Sequence, residues 1–216
     1  MGRYKNIVFD LDGTIADTLG DLAESTNAAL VHFGYAPHPI KKYRYFVGNG
    51  ARLLIKRAMP EDATKEQLES ALQFFIQYYG ENYLVKTKSY DGLPAVLETL
   101  HNTGMAFAVV TNKPDYRAST IVTALYGELF EVVAGHTDDY PLKPDPTLTL
   151  DVMKRLGAKP ENTVFIGDSG VDMMTAKNAG LDSIGVLWGF REENELKENG
   201  ARFIARTPED LLKIIL

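Results

Sequence analysis

Asp10 and Asp12 stand two residues apart directly after the apolar run Ile7-Val8-Phe9. Alternate residues of an extended chain point to the same side, so this spacing aims two carboxylates at one place. Carboxylates held that close must be neutralised by a proton or a metal ion. The end of a buried parallel strand is also where open sheets bind their ligands. Gly13 lets the backbone turn sharply away, although an Asp-Gly pair also suits an ordinary strand-to-helix turn. Three other polar groups follow apolar runs or occupy loops: Thr111-Asn112-Lys113, Lys143 in Lys143-Pro144-Asp145-Pro146, and Gly167-Asp168-Ser169-Gly170-Val171-Asp172. Asp168 and Asp172, four apart across a strand-to-helix turn, can face one cleft. With Asp10 they offer the hard oxygen ligands that Mg²⁺ prefers. Magnesium held by a few carboxylates, with water and a substrate phosphate completing its shell, suits phosphoryl transfer.

Elements able to position these groups are visible in the hydrophobic pattern. Ile7-Val8-Phe9, Phe107-Ala108-Val109-Val110, Val132-Val133-Ala134 and Val164-Phe165-Ile166 are short apolar runs, as strands buried on both faces require. Ser183-Ile184-Gly185-Val186 and Arg202-Phe203-Ile204 extend the series. Helical patterns lie between the later runs, at about 94–102, 115–126, 146–156 and 171–179, with a closing helix at 208–215. The first and third open on Pro94 and Pro146, as an N1 residue would. Strands alternating with helices predict an α/β fold with a doubly wound parallel sheet. The stretch 16–86 breaks the alternation: it carries helical patterns at 19–33, 50–59 and 65–79 and no clear strand. It predicts a helical cap domain inserted into a core made of 1–15 and 87–216, leaving the sheet just after Asp12 and lying over the strand ends that carry the acids.

Composition narrows the function classes. The chain has 216 residues, 45% of them hydrophobic, enough for one large domain with an insertion. It has no cysteine, which excludes disulfides, thiolate nucleophiles and sulfur-based zinc sites. A net charge of −6 argues against nucleic acid as the main partner, since that affinity rests on Lys and Arg meeting phosphates. No apolar stretch approaches the ~20 residues that span a bilayer, and the N-terminus leads straight into a strand, so a cytoplasmic protein without membrane partners is expected. His32, His38, His101 and His136 have no mutual spacing suited to a metal, and Trp188 with Phe190 is expected simply to pack near the sheet end.

Together these residues resemble the haloacid dehalogenase superfamily, whose pattern is Asp-x-Asp-x-Thr, then Thr or Ser on a later strand, then Lys, then Gly-Asp-x-x-x-Asp. Asp10-Leu11-Asp12-Gly13-Thr14, Thr111, Lys143 and Gly167-Asp168 with Asp172 follow that order over nearly the whole chain. The resemblance implies that Asp10 attacks phosphorus to form an aspartyl-phosphate, and that Asp12 serves as general acid and then base. Thr111 and Asn112 would donate side-chain or backbone hydrogen bonds to the phosphoryl oxygens, and Lys143 would give the transferring group a fixed positive charge. It also implies a Mg²⁺ site formed by Asp10, Asp168, the main-chain carbonyl of Asp12, and Asp172, the last directly, through water or only as an orienting group. An acid at position 12 favours a phosphatase over a dehalogenase.

Phe46-Val47-Gly48-Asn49-Gly50-Ala51-Arg52 is similar to the cap segment of phosphoglycolate phosphatases, and Lys113 after Thr111-Asn112 is another shared trait. Gly48, Asn49 and Gly50 would let backbone N–H groups meet an anion at a helix start, with Arg52 beside them. From Ser25 to Pro60 there is no acid, while Lys41, Lys42, Arg44, Arg52, Lys56 and Arg57 all fall inside. Such a window suits a small anionic phosphorylated metabolite, with 2-phosphoglycolate the leading candidate, or is a solvated helix face. Pyrophosphatase, sugar-phosphate phosphatase or mutase, and a non-catalytic phosphate-binding regulator are the alternatives.

Overall fold

A computed structural model describes residues 3–216. In chain order the elements are β1 (Asn6–Phe9), β2 (Ala16–Asp17), α1 (Leu19–His32), a 3₁₀ turn (Ile40–Tyr45), α2 (Ala51–Ala58) and α3 (Lys65–Asn82). They continue as β3 (Lys88–Ser89), α4 (Leu93–His101), β4 (Ala106–Pro114), α5 (Asp115–Tyr126), β5 (Val132–His136) and α6 (Thr147–Arg155). A second 3₁₀ turn (Pro160–Asn162) precedes β6 (Thr163–Gly167), α7 (Gly170–Asn178), β7 (Asp182–Val186), α8 (Glu193–Glu198), β8 (Phe203–Ala205) and α9 (Asp210–Ile215). The chain divides into two compact units, one running to Ala16 and resuming over Ser89–Leu216, the other Asp17–Lys88. No helix among the described residues is long and apolar enough to cross a membrane.

The larger unit is the α/β fold expected from the alternation, with a six-stranded sheet ordered β5-β4-β1-β6-β7-β8. All its pairs are parallel. β1 is buried along its whole length, which is why its side chains are apolar without alternation. It lies between β4 and β6, with Phe9 opposite Val109 on one side and Ile166 on the other. Strand order reverses around β1, and such a switch point opens a crevice beyond the strand ends. The strand is anchored from below: the Phe9 ring meets Phe107 and Phe130 edge-on at 5.6 and 5.8 Å. On one face Val8, Ala108, Val110 and Phe165 join Leu148, Val152, Met153 and Ala176 in a common core.

Several local expectations are corrected. β4 runs past the apolar run Phe107–Val110 and continues through Thr111-Asn112-Lys113 to Pro114. Pro146 is the N-cap of α6 rather than its first residue, and Pro94 lies just inside α4. α8 was not visible as a pattern, because Glu193–Glu198 is charged nearly throughout and buries only Leu196. The inserted stretch is bounded by two short strands, β2 and β3, which pair with each other.

The smaller unit is helical. α3 opens on a reciprocal capping box between Thr64 and Gln67, buries Ala71, Leu72, Phe75 and Tyr79, and packs against α1 and α2. Asp21, in the first turn of α1 and 2% exposed, accepts from the Lys86 and Thr87 N–H groups and the Thr87 hydroxyl at 2.8–3.0 Å. One buried carboxylate therefore fastens the start of this unit to its end, beside a Lys86–Glu24 ion pair. Asp21→Ala orphans those donors and is expected to cost about 2–4 kcal/mol locally, since bonds to charged acceptors are worth roughly 1.5–3 each. Hydrogen exchange at the Lys86 and Thr87 amides should accelerate first; unchanged protection there would refute the assignment.

Candidate active site

The crevice beyond β1 gathers residues from four separate strand ends or loops. The Asp10 N–H donates to the Ile166 carbonyl at 2.9 Å, which fixes Asp10 against β6. Asp168 follows β6, and Asp172 sits in the first turn of α7. Asp10, Asp168 and Asp172 are all buried, and one carboxylate oxygen from each lies within 4.8 Å of the others. Lys143, from the loop between β5 and α6, enters this group with its side chain only 3% exposed. Its ammonium is 2.8 Å from Asp10 Oδ1 and 2.6 Å from Asp172 Oδ1, donates to the Val110 carbonyl at 3.1 Å, and lies 5.5 Å from the Phe165 ring centre. The approach to Asp10 Oδ1 is a charge contact without hydrogen-bond geometry.

Three buried carboxylates against one buried ammonium leave a surplus of negative charge. The carboxyl groups respond accordingly. Burial, reinforced by Asp172 and outweighing Lys143, pushes Asp10 up to about 7. Burial followed by Asp172 and Asp10 holds Asp168 well above the usual carboxylate range, against the pull of the Phe190 N–H. Burial alone would lower the Lys143 ammonium, but Asp10 and Asp172 reverse that and hold it protonated. A hard divalent cation among these oxygens would cancel the surplus, so the donor set fits Mg²⁺ in both charge and chemistry.

The supporting contacts show what each side chain is committed to. Asp172 Oδ2 accepts from the Ser169 N–H and hydroxyl at 3.0 and 2.6 Å, closing a capping box at the start of α7. With Oδ1 on Lys143, Asp172 braces the cluster through both oxygens. Asp168 Oδ2 accepts from the Phe190 N–H at 2.7 Å. Asp12 is not part of the three-acid group through its side chain: both its oxygens face the Lys113 ammonium, at 2.9 and 3.2 Å. Lys113, buried at the end of β4, is thus a site residue that sequence reasoning noticed only as a shared trait.

The Asn112 side chain is committed to the Lys143 loop. Its oxygen accepts from the Lys143 N–H at 2.7 Å and its amide donates to the Lys143 carbonyl at 3.3 Å. The side chain thus clamps the main chain that delivers Lys143, which leaves the backbone N–H of Asn112 as the donor expected for the phosphoryl group. Thr111, 3% exposed, accepts from the Lys113 N–H at 3.3 Å and keeps its own hydroxyl proton to donate. In the helical unit Gly48 and Gly50 have φ of 106° and 83°, and Gly50 is the N-cap of α2, with Asn49 between them. Arg52 lies 2.7 Å from Glu69 in a solvent-exposed ion pair.

Gly189 was also missed. A Cβ there would overlap the Asp168 Cβ and the Gly13 carbonyl oxygen, so only glycine lets the chain after β7 pass this close. Gly189→Ala is expected to destabilise the protein by about 1–3 kcal/mol, as overpacking does, and to weaken Mg²⁺ binding by shifting Asp168. Thermal melts with and without Mg²⁺ would read both effects; an unchanged melting temperature would sink the prediction.

Comparison with known proteins gives a consistent answer. The family model described as haloacid dehalogenase-like hydrolase matches residues 7–186. The chain is 32% identical over 212 residues to phosphoglycolate phosphatase 1 of Pseudomonas aeruginosa, covering 95% of this chain and 78% of that one. It is 33% identical to a phosphoglycolate phosphatase of Mannheimia succiniciproducens, with 99% of each chain covered. Among solved structures, a predicted phosphoglycolate phosphatase from Haemophilus somnus superposes with a TM-score of 0.90 at 30% identity over 99% of both chains.

Proposed function

Because the chain belongs to the haloacid dehalogenase-like hydrolase family, we propose that it is a Mg²⁺-dependent phosphomonoesterase that works through an aspartyl-phosphate, with 2-phosphoglycolate as its substrate. The observation that carries this reading is the buried ammonium of Lys143 between Asp10 and Asp172, with Asp168 alongside and the pair of Asp12 with the buried Lys113 next to it.

A carboxylate can attack phosphorus in line if something offsets the charge on the phosphoryl oxygens. Asp10 forms the new P–O bond while the bond to the leaving oxygen breaks. Asp12 gives that oxygen a proton, then takes one from the water that cleaves the acyl-phosphate, releasing inorganic phosphate and restoring Asp10. The Thr111 hydroxyl and the end of β4 supply donors to the phosphoryl oxygens, and Lys143 keeps Asp10 oriented while adding positive charge. Asp10, Asp168 and the main chain at Asp12 would hold Mg²⁺, with Asp172 as brace, and the bound ion supplies charge neutralisation at the phosphoryl group. The helical unit is proposed as the substrate-selecting cap, with Gly48-Asn49-Gly50 presenting backbone N–H groups to the substrate carboxylate.

Support for phosphoglycolate comes from the names of the relatives at 32% and 33% identity and from the acid-free basic window 25–60. The test is phosphate release from phosphoglycolate, pyrophosphate, sugar phosphates and nucleotides, with Mg²⁺ and with a chelator. The expected result is a kcat/KM for phosphoglycolate at least about tenfold above the rest, lost on chelation. Equal rates across the panel would overturn the substrate; no release from any member would overturn the phosphatase.

A further inference from the structure

We propose that Trp188 and Tyr126 are positioning residues for the proton transfer made by Asp12, holding from two sides the turn that carries it. The inference rests on the phosphatase reading above. After Asp10 the chain leaves the sheet and is no longer held by a strand ladder. It curls instead, with the Leu11 carbonyl accepting from the N–H groups of Thr14, Ile15 and Ala16 at 3.0–3.2 Å, and Gly13 N–H donating to Ala16 at 2.9 Å. Such a turn sets its own internal shape but leaves its tilt over the sheet open. Two aromatic donors from distant parts of the same unit take the next two carbonyls: the Trp188 indole N–H donates to Thr14 at 2.9 Å, and the Tyr126 hydroxyl donates to Ile15 at 2.6 Å.

The geometry ties this anchorage to the chemistry. Trp188 leads directly into Gly189 and Phe190, whose N–H holds Asp168 Oδ2 at 2.7 Å and whose backbone passes against Asp168 and Gly13. One three-residue segment therefore sets the acid turn and an acidic ligand candidate relative to each other. Tyr126 fixes the other side from the end of α5, where its ring packs edge-on to Phe130 at 5.6 Å. Lys113 orients the Asp12 carboxylate itself. A proton donor must lie within hydrogen-bond reach of the leaving oxygen, so small shifts of this turn cost rate only where that proton is needed.

That dependence supplies a test which a merely structural role would not pass. kcat/KM is measured for Trp188→Phe and Tyr126→Phe on two substrates, an alkyl phosphate, whose alkoxide leaves poorly without a proton, and p-nitrophenyl phosphate, whose aryl oxide leaves as the anion. Tyr126→Phe loses only the hydroxyl donor, whereas Trp188→Phe keeps an aromatic ring but loses the N–H together with part of the indole's volume. The expected result is at least about a tenfold loss on the alkyl ester and less than about a threefold loss on the aryl ester, within the range that general-acid catalysis contributes. Equal losses on both esters, or none on either, would overturn the proposal. Should Trp188→Phe fail to fold, Tyr126→Phe decides alone, its fold checked by the emission of Trp188, the chain's one tryptophan. Wild-type protein inactive on both esters would instead refute the phosphatase reading.

Discussion

Asp10→Asn is expected to lower phosphate release by on the order of 10⁴-fold or more while leaving a folded and, without metal, more stable protein. The two halves of this result have one cause. Asp10 is buried in a cluster whose negative charge exceeds the single ammonium beside it, and its carboxyl is raised to about 7 by that environment. A raised folded-state pKa means that the native protein binds the proton more tightly than the unfolded chain. Stability from this group is therefore complete below the ordinary carboxylate range and is lost as pH climbs through about 7. Metal-free wild type should lose melting temperature between pH 5 and pH 8. Asp10→Asn, in which Lys143 still has Asp172 and the Val110 carbonyl, should lose less. Excess Mg²⁺ should reverse the order by binding the native wild type. Undiminished turnover in the variant would remove Asp10 as nucleophile. A metal-free wild type that grows more stable from pH 5 to pH 8 would contradict the charge surplus.

The parts of this site legible in the sequence are those whose position follows from strand geometry. Asp10 is placed by Ile7-Val8-Phe9 and Asp168 by Val164-Phe165-Ile166, and parallel strands pairing in register bring their ends together whatever the helices between them do. Lys143 could be named from its motif, but its route into the cluster could not, because it depends on Asn112 clamping its main chain from 31 residues away. Trp188 shows the limit most clearly. By composition an aromatic near a sheet end is packing material, and nothing local marks its indole N–H as the partner of a carbonyl 174 residues earlier. The contacts of Lys113 and Arg52 were hidden for the same reason. Charge along a sequence does not say what it meets, and here one faces Asp12 while the other lies beside Glu69. The missed α8 differs, since Glu193–Glu198 buries only Leu196 and has no apolar period to find.

Lys143→Met should be the most damaging substitution to the fold near the site. Methionine fills nearly the same volume, so packing against Phe165 is kept and the loss is electrostatic. Without the ammonium, Asp10 and Asp172 face each other buried and uncompensated, and removing one partner from such a group costs about 3–5 kcal/mol. The Asp10 carboxyl, already raised by burial and by Asp172, rises further, so the loss should be largest at pH 8 and shrink toward pH 5 as that group takes up a proton. The opposite trend, a loss that grows toward pH 5, would show that Lys143 is not the charge balancing these acids. A double substitution separates stability from catalysis. Lys143→Met with Asp172→Asn should be less destabilised than the sum of the two singles by about 1–3 kcal/mol, because the second change removes the charge stranded by the first. Turnover should stay at background in the double variant even at temperatures where it is fully folded, since Asp10 would remain without the ammonium that lies 2.8 Å from it. Activity recovered along with stability would mean that Lys143 serves the fold alone.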